Sequence, residues 1–217
     1  MYIDRKEVLR YMGYRGQNIG HTTEKLLNDC IDEVASVSKE SFLYEIFDVE
    51  HTAEGLCLKG TTLTLAGEDI GKHLANSEKC ALMAVTLGLE VDKRITFYSK
   101  TDIAKALVFD ACATAAAESL CDTVHEKIET EARSMGFETT TRFSPGYGDF
   151  SIGIQKELAK VLKAYEGIGL SVNESSIMIP RKSVTAFIGL QREKSDKSGH
   201  SCESCDSKNC FFRKGVE

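Results

Sequence analysis

Residues 101–136, TDIAKALVFDACATAAAESLCDTVHEKIETEARSMG, form the longest helical pattern in the chain. Asp102 lies in the first predicted turn, where a carboxylate favours the positive end of a helix. Gly136 is placed to end the helix. Residues 111–117, in the middle of the segment, are almost all small. The pattern therefore predicts one long helix that neighbouring elements approach closely.

Further helical patterns lie on both sides of this segment. Asp4 and Glu7 have the spacing of a capping box that opens a short helix, and residues 22–38 carry apolar side chains along one face. Residues 1–40 are therefore expected to be a helical start. Shorter helices are predicted at residues 68–77 and 151–166, the latter with Tyr165 on its buried face.

Strand patterns alternate with these helices in an irregular order. They cover residues 42–47, 56–58, 61–65, 80–85, 138–143, 176–179 and 184–188. Residues 41–66 are especially strand-rich and suggest an antiparallel ribbon. Because helices and strands interleave without regular βαβ units, the predicted fold class is α+β, with a twisted antiparallel sheet packed with helices.

Composition limits the classes of function. The 217 residues are 42% hydrophobic and 28% charged, which is typical of a globular domain with a sizeable core. The net charge of −6 argues against binding to nucleic acid or to an anionic membrane surface. No segment approaches the roughly 18 consecutive apolar residues of a membrane span. The start of the chain also lacks the apolar core of a secretion signal.

The cysteines divide into two groups. Eight cysteines without an export signal are typical of the reducing cytoplasm, where a disulfide framework is not expected. Five occur singly in apolar segments and are predicted to be small buried side chains. They are Cys30, Cys57, Cys80, Cys112 and Cys121.

The other three cysteines, Cys202, Cys205 and Cys210, lie within nine residues of a polar tail that covers residues 192–217. Two thiols at a two-residue gap can share a metal, and Cys210 is near enough to be a third ligand. Zinc would need a fourth ligand, for which His200 is nearest, whereas an iron–sulfur cluster would need a fourth cysteine from a partner. The alternative is a disordered tail with reduced thiols.

Residues 142–149, RFSPGYGD, join a predicted strand to a predicted helix. Arg142 can hold a carboxylate through two hydrogen bonds, and the glycines let backbone N–H groups approach a ligand. Pro145 stiffens the turn, and Tyr147 offers an aromatic face. This set of groups suits a small zwitterion that carries an aromatic base. The alternative is an ordinary connection with Arg142 at the surface.

Several stretches together resemble one family. They are RFSPGYGD at 142–149, Gln155-Lys156, NESSIMIPRKSVT at 173–185, EVLRYMGYRG near the start, and LAGEDI at 65–70. They resemble the activation domain of cobalamin-dependent methionine synthase, in its free-standing form. The resemblance covers residues 3–191, so that residues 1–191 are expected to form one activation-domain-like unit with the fold of that domain.

The resemblance implies a binding site for S-adenosylmethionine. Its signature Arg-x-x-x-Gly-Tyr corresponds to Arg142, Gly146 and Tyr147, and Arg142 is expected to hold the methionine carboxylate. Ser144 and Gly146 would line the ligand through their backbone, with Tyr147 packed beside it. Glu118 matches a ligand-side glutamate of the family and could pair with an ammonium. The alternative for Glu118 is a surface position on the helix.

The family's activity is reductive methylation of oxidised cobalamin, with an electron from flavodoxin or a similar donor. No side chain is then expected to act as an acid, base or nucleophile, because reduced cobalt attacks the sulfonium methyl group. The chain lacks an Asp-x-His-x-x-Gly cobalamin signature, so the cobalamin is expected on a partner methionine synthase or another corrinoid protein. Two alternatives are a corrinoid-protein docking factor that binds no nucleoside and an electron-delivery protein that uses the cysteine tail.

Overall fold

The computed structural model describes residues 1–52 and 55–192. The strands are β1 (Ser41–Thr52), β2 (Gly55–Leu58), β3 (Thr64–Leu65), β4 (Lys79–Thr86), β5 (Glu138–Thr139), β6 (Ser171–Val172), β7 (Met178–Ile179) and β8 (Ser183–Gln191). Within the described residues they form an antiparallel sheet of order β3-β2-β1-β4-β8-β5 and a separate β6-β7 pair.

Helices cover both faces of this sheet. They are α1 (Arg5–Tyr11), α2 (His21–Val37), α3 (Glu68–His73), α4 (Leu89–Thr101), α5 (Ile103–Ser134), α6 (Gln155–Val161) and α7 (Ala164–Ile168). Side chains of β4 alternate between two hydrophobic clusters, with Met83 among residues of α2 and α5 and Leu82 among residues of α3 and α6. The central strand is therefore buried on both faces, and the predicted α+β class is confirmed.

The long predicted helix is confirmed as α5. Asp102 is its N-cap rather than a residue of the first turn, and its carboxylate accepts a hydrogen bond from the Lys105 N–H at 3.0 Å. Gly136 follows the helix with φ of 81°, a conformation that favours glycine. Small residues at its centre are buried, in line with the predicted close approach of neighbouring elements; they include Ala111, Cys112, Ala113, Ala115, Ala116 and Ala117.

Two helical segments differ from the prediction for identifiable reasons. Helix α4 was not predicted, because only Val91 and Tyr98 of its side chains are buried. The helix expected at 151–166 is a 3-10 turn followed by α6 and α7, which are separated by Lys163 at φ of 50°. Tyr165 is consequently 71% exposed instead of buried.

The strand expected at 138–143 is reduced to β5 and a single bridge between Phe143 and Phe187. Thr140 interrupts the ladder because its hydroxyl, rather than a backbone carbonyl, accepts the hydrogen bond of the Gly189 N–H at 2.8 Å. Phe143 and Phe187 then resume backbone pairing at 2.8 and 2.9 Å. The segment that leads into the 142–149 loop is thus fixed at the edge of β8.

Four of the five dispersed cysteines are buried, as predicted, and Cys57 is half-buried with its thiol near the hydroxyls of Thr52 and Thr64. No helix within residues 1–52 and 55–192 has the length and apolar character needed to cross a membrane. The tail cysteines Cys202, Cys205 and Cys210 lie outside the described residues, so their predicted metal site remains a prediction.

Candidate functional site

The 142–149 loop closes on itself after the Phe143 bridge. The N–H of Gly146 donates to the Phe150 carbonyl at 2.9 Å, the N–H of Tyr147 to the Ser144 carbonyl at 3.1 Å, and the N–H of Phe150 to the Tyr147 carbonyl at 2.9 Å. Gly146 permits this turn because its φ is 93°. The N–H groups of Gly146 and Tyr147 are therefore already engaged, contrary to the expectation that the N–H groups of this loop are open to a ligand.

The end of the loop is attached to the N-terminus of α3. The carboxylate of Asp149 accepts hydrogen bonds from the N–H groups of Glu68 at 2.6 Å and Asp69 at 3.1 Å. In return, the Asp69 carboxylate accepts a hydrogen bond from the Asp149 N–H at 3.2 Å. Both hydrogen bonds lower the pKa of Asp149, and the bond from the Glu68 N–H has the larger effect. The loop is therefore positioned by a segment about 80 residues earlier in the chain.

Aromatic contacts orient the exposed side of the loop. The buried ring of Phe143 lies 4.9 Å from the ring of His73 and 6.1 Å from that of Phe150, measured between centroids. Tyr147 contacts the Phe143 ring at 5.7 Å in an edge arrangement and is 52% exposed. A ring held along one edge and open elsewhere can stack on a flat ligand.

Arg142 points from the loop towards α5, where it meets two carboxylates one helical turn apart. Its Nη2 lies 3.3 Å from Oε2 of Glu118, and its Nη1 lies 2.7 Å from Oδ1 of Asp122. The Arg142 side chain is 22% exposed, compared with 40% for Glu118 and 66% for Asp122. Burial lowers the pKa of Arg142, but the hydrogen bond to Asp122 and the nearby negative charges more than offset it and leave the pKa raised. The guanidinium is therefore a fixed positive charge.

The structure thus brings the predicted Arg142 and Glu118 together, and it adds three neighbours that the sequence did not identify. Asp122 follows Glu118 by four residues, a spacing that placed it on the same helical face. Burial lowers the pKa of His125, and the nearby positive charge of Arg142 lowers this pKa further. Burial raises the pKa of Tyr11, at the end of α1, and the negative charge of Glu118 raises this pKa further. The spacings of Asp122 and of His125, which follows Asp122 by three residues, were readable signals, whereas the position of Tyr11 depends on packing.

The three charged side chains of Arg142, Glu118 and Asp122 can recognise a ligand that carries both charges. Two carboxylates share one guanidinium, which leaves the three groups with one net negative charge. Such a set accepts an amino acid, whose carboxylate pairs with the arginine and whose ammonium pairs with a carboxylate. Across residues 1–52 and 55–192, no three His, Cys, Asp or Glu side chains are grouped so that they could hold a metal ion. The charges of Arg142, Glu118 and Asp122 suit the binding and orientation of such a ligand.

A cavity of about 580 Å³ also lies along α5, but it belongs to another part of the helix. Its lining residues are Thr123, Glu126, Lys127, Thr130, Glu131 and Ser134. It includes neither Arg142 nor any residue of the 142–149 loop. The candidate site instead lies where Arg142 and the 142–149 loop meet Glu118 and Asp122 of α5.

This fold and site define a class of protein. It is an α+β domain with helices on both faces of its sheet and an arginine–glycine–tyrosine loop that faces a long helix. A model of the family described as "Vitamin B12 dependent methionine synthase, activation domain" matches residues 68–198, more than half of the 217 residues. The chain belongs to this family, and the resemblance seen in the sequence is confirmed.

Comparison with solved structures supports the same fold. The chain is similar to the structure titled "Crystal Structure of the MetH Reactivation Domain bound to AdoHcy", with a TM-score of 0.67 and 16% sequence identity. The similarity covers 89% of this chain and 75% of that chain. At this identity the similarity concerns the fold alone. A search of curated proteins gave no significant match.

Proposed function

We propose that this protein binds S-adenosylmethionine and presents its methyl group to a cobalamin held by a separate methionine synthase, and so supports reactivation of that enzyme. The observation that carries the proposal is the contact of Arg142 with Glu118 and Asp122 beside the 142–149 loop. Family membership and the AdoHcy-bound structure of similar fold support the same ligand class.

Ligand binding would exchange ion pairs rather than create a new charged site. The methionine carboxylate would take the guanidinium of Arg142, and the more exposed Asp122 would be the partner that moves away. The ammonium would then pair with Glu118, which stays near the arginine. Arg142 and Glu118 would each keep an opposite charge, and the displaced Asp122 is 66% exposed and would return to water, so the desolvation cost of inserting the zwitterion is reduced.

The loop would supply the remaining contacts. Tyr147 would pack beside the ligand, since its ring is half exposed and is held along one edge by Phe143. Ser144 would contact the ligand through its backbone. At Gly146 the N–H already donates to Phe150, so its share of the backbone contact would come from the carbonyl and the Cα surface.

The chemistry of the ligand determines what this chain and its partners would each contribute to methyl transfer. S-adenosylmethionine supplies an electrophilic methyl group on a sulfonium, and the acceptor cobalamin would be carried by a methionine synthase or another corrinoid protein. Residues of this chain would hold and orient the donor, which is catalysis by proximity. A flavodoxin-like or other reductant would supply the electron. We place binding in residues 1–191 and leave residues 192–217 as a polar tail.

Calorimetric titration with S-adenosylmethionine tests this proposal. Wild-type protein is expected to bind, and Arg142→Ala is expected to bind at least about tenfold more weakly, because a charged hydrogen bond is lost. Arg133→Ala is the matched control, since Arg133 lies on α5, is 60% exposed and pairs with Glu129. Absence of binding by the wild type, or equal affinity in Arg142→Ala, would contradict the proposal.

A further inference from the structure

Strand β1 lies beside the central strand β4, yet the first half of β1 has an open edge. On one side β4 pairs with residues 41–48, whereas on the other side β2 pairs only with residues 49–52. Among residues 1–52 and 55–192, no strand adjoins that other side of residues 41–47. Accordingly, no residue of β1 is buried, whereas every residue of β4 after Lys79 is buried.

Backbone hydrogen bonds at the end of this segment show which groups face the open edge. The N–H of Val49 donates on the β4 side, to the Glu78 carbonyl at 2.9 Å, and the carbonyl of Asp48 accepts a hydrogen bond on the β2 side at 3.0 Å. Because backbone groups alternate in direction along a strand, odd-numbered residues of β1 point towards β4 and even-numbered residues point away. The backbone groups that face the open edge are therefore those of Phe42, Tyr44 and Ile46.

The sequence of this segment does not oppose pairing with another strand. Edge strands usually carry prolines, lysines or bulges that prevent such pairing. Residues 41–47, SFLYEIF, contain neither proline nor lysine, and their only charge is that of Glu45. Their register with β4 is continuous, without a bulge, and Phe42 is 37% exposed. The edge is therefore regular, largely apolar and suited to the addition of a strand.

Helix α5 lies over the same edge and adds two opposite charges to it. Nζ of Lys127 lies 5.9 Å from the centre of the Phe42 ring, within the range of a cation–π contact. Oε2 of Glu131 accepts a hydrogen bond from the Tyr44 hydroxyl at 2.8 Å. Lys127 and Glu131 also line the cavity of about 580 Å³ along α5. The edge thus has a positive charge at Phe42, a negative charge at Tyr44 and a cavity beside both.

This pattern is complementary to itself about a two-fold axis at Leu43. In an antiparallel pair of two β1 strands centred on Leu43, Phe42 of each copy exchanges backbone hydrogen bonds with Tyr44 of the other. Lys127, which lies at Phe42, then faces Glu131 of the second copy. An axis at Tyr44 would instead place the two Glu131 carboxylates opposite each other, which is unfavourable. Charge therefore selects the register centred on Leu43.

We propose that two copies of this chain associate through the open edge of β1 and form one continuous antiparallel sheet across an axis at Leu43. Aromatic side chains pair across the axis on the α5 face, where each cavity lies beside the added strand. Lys127 and Glu131 follow Glu118 and Asp122 by nine residues, which is about two and a half turns, and so lie on the opposite side of α5. The dimer therefore leaves the Arg142 site open.

Charge reversal with mixing tests this interface in the full-length protein. Sedimentation equilibrium, with a thiol reductant to exclude disulfides, is expected to show a wild-type dimer at micromolar concentrations. Lys127→Glu and Glu131→Lys each place like charges across both contacts, so each should raise the dimer dissociation constant about tenfold or more. A mixture of the two variants should restore the dimer, because each chain then meets one of opposite charge. Lys93→Glu, on α4, is the control and should dimerise like the wild type.

Hydrogen exchange identifies what covers the open edge. The amides of Phe42, Tyr44 and Ile46 should be protected in the dimer, and dilution of the full-length protein should reduce this protection. Protection that does not change on dilution would mean that a segment of the same chain, such as residues 193–217, covers the edge, and this would overturn the proposal. A protein that stays monomeric, or a dimer that tolerates both charge reversals or is not restored by mixing, would overturn it as well.

Discussion

Replacement of Gly148 by alanine tests how the binding loop is held to the rest of the domain. Gly148 has φ of 52°, and a Cβ built there would overlap the Asp69 carboxylate. That carboxylate accepts the Asp149 N–H at 3.2 Å, so it must move and release this bond. The loop would then lose one of its connections to the start of α3.

The expected magnitude has two parts. The left-handed backbone costs an alanine about 1 kcal/mol, and loss of the Asp69 hydrogen bond adds about 1 kcal/mol or more. Gly148→Ala should therefore lower the free energy of unfolding by about 2–3 kcal/mol in urea titrations. Gly60→Ala is the matched control, because Gly60 has φ of 80° and nothing within 4 Å of a built Cβ.

The control should show the backbone cost alone, about 1 kcal/mol. Gly148→Ala should also weaken binding of S-adenosylmethionine, because displacement of the loop moves Tyr147 and Ser144. Gly60 lies outside the loop, so its variant should bind normally. Equal losses of stability in the two variants would refute the argument that Asp69 and the loop are locked together.

Two further predictions concern titration and reactivity. The hydrogen bonds from the Glu68 N–H, which has the larger effect, and from the Asp69 N–H lower the pKa of Asp149. The Asp149 carboxylate therefore contributes stability above the ordinary aspartate pKa, and this stability is lost as the pH falls through the lowered pKa. Urea titrations should show that Asp149→Asn destabilises at pH 7 and that the difference from wild type shrinks in acid; a constant difference would contradict this. Burial raises the pKa of the thiols of Cys80, Cys112 and Cys121 to about 12. In a variant with serine at the three tail cysteines, these thiols should resist iodoacetamide at pH 8 until urea is added, while Cys57 reacts first; rapid native modification at all sites would disprove the packing.

The sequence was most informative where local signals agreed. Helix α5 combines a capping aspartate, a buried face of small residues and a terminal glycine, so it was predicted almost to its ends. Helix α4 lacked such agreement, since it begins after Gly88 without a side-chain cap and buries few side chains. The break at Lys163 has no local signal, because a non-glycine residue adopts φ of 50° there.

In the candidate site, too, residues with a local signal were predicted and residues placed by long-range packing were not. Arg142 and Glu118 were identified from motifs, and their 3.3 Å contact follows from a loop and a helix that the sequence located correctly. Asp122 was available from its spacing and was missed. The proximity of Tyr11 to Glu118 depends on how α1 packs against α5, and the attachment of Asp149 to α3 spans 80 residues. Such long-range contacts carry no local pattern.

Methyl transfer to a partner's cobalamin is the most direct measurement of the proposed presentation of S-adenosylmethionine. A cobalamin-dependent methionine synthase that lacks its own activation domain would be prepared in the Co(II) state and supplied with a reductant and S-adenosylmethionine carrying a tritiated methyl group. Label is expected to reach the cobalamin when wild-type protein or Arg133→Ala is added, and not when Arg142→Ala is added. Transfer at the same rate without this protein would contradict the proposed function.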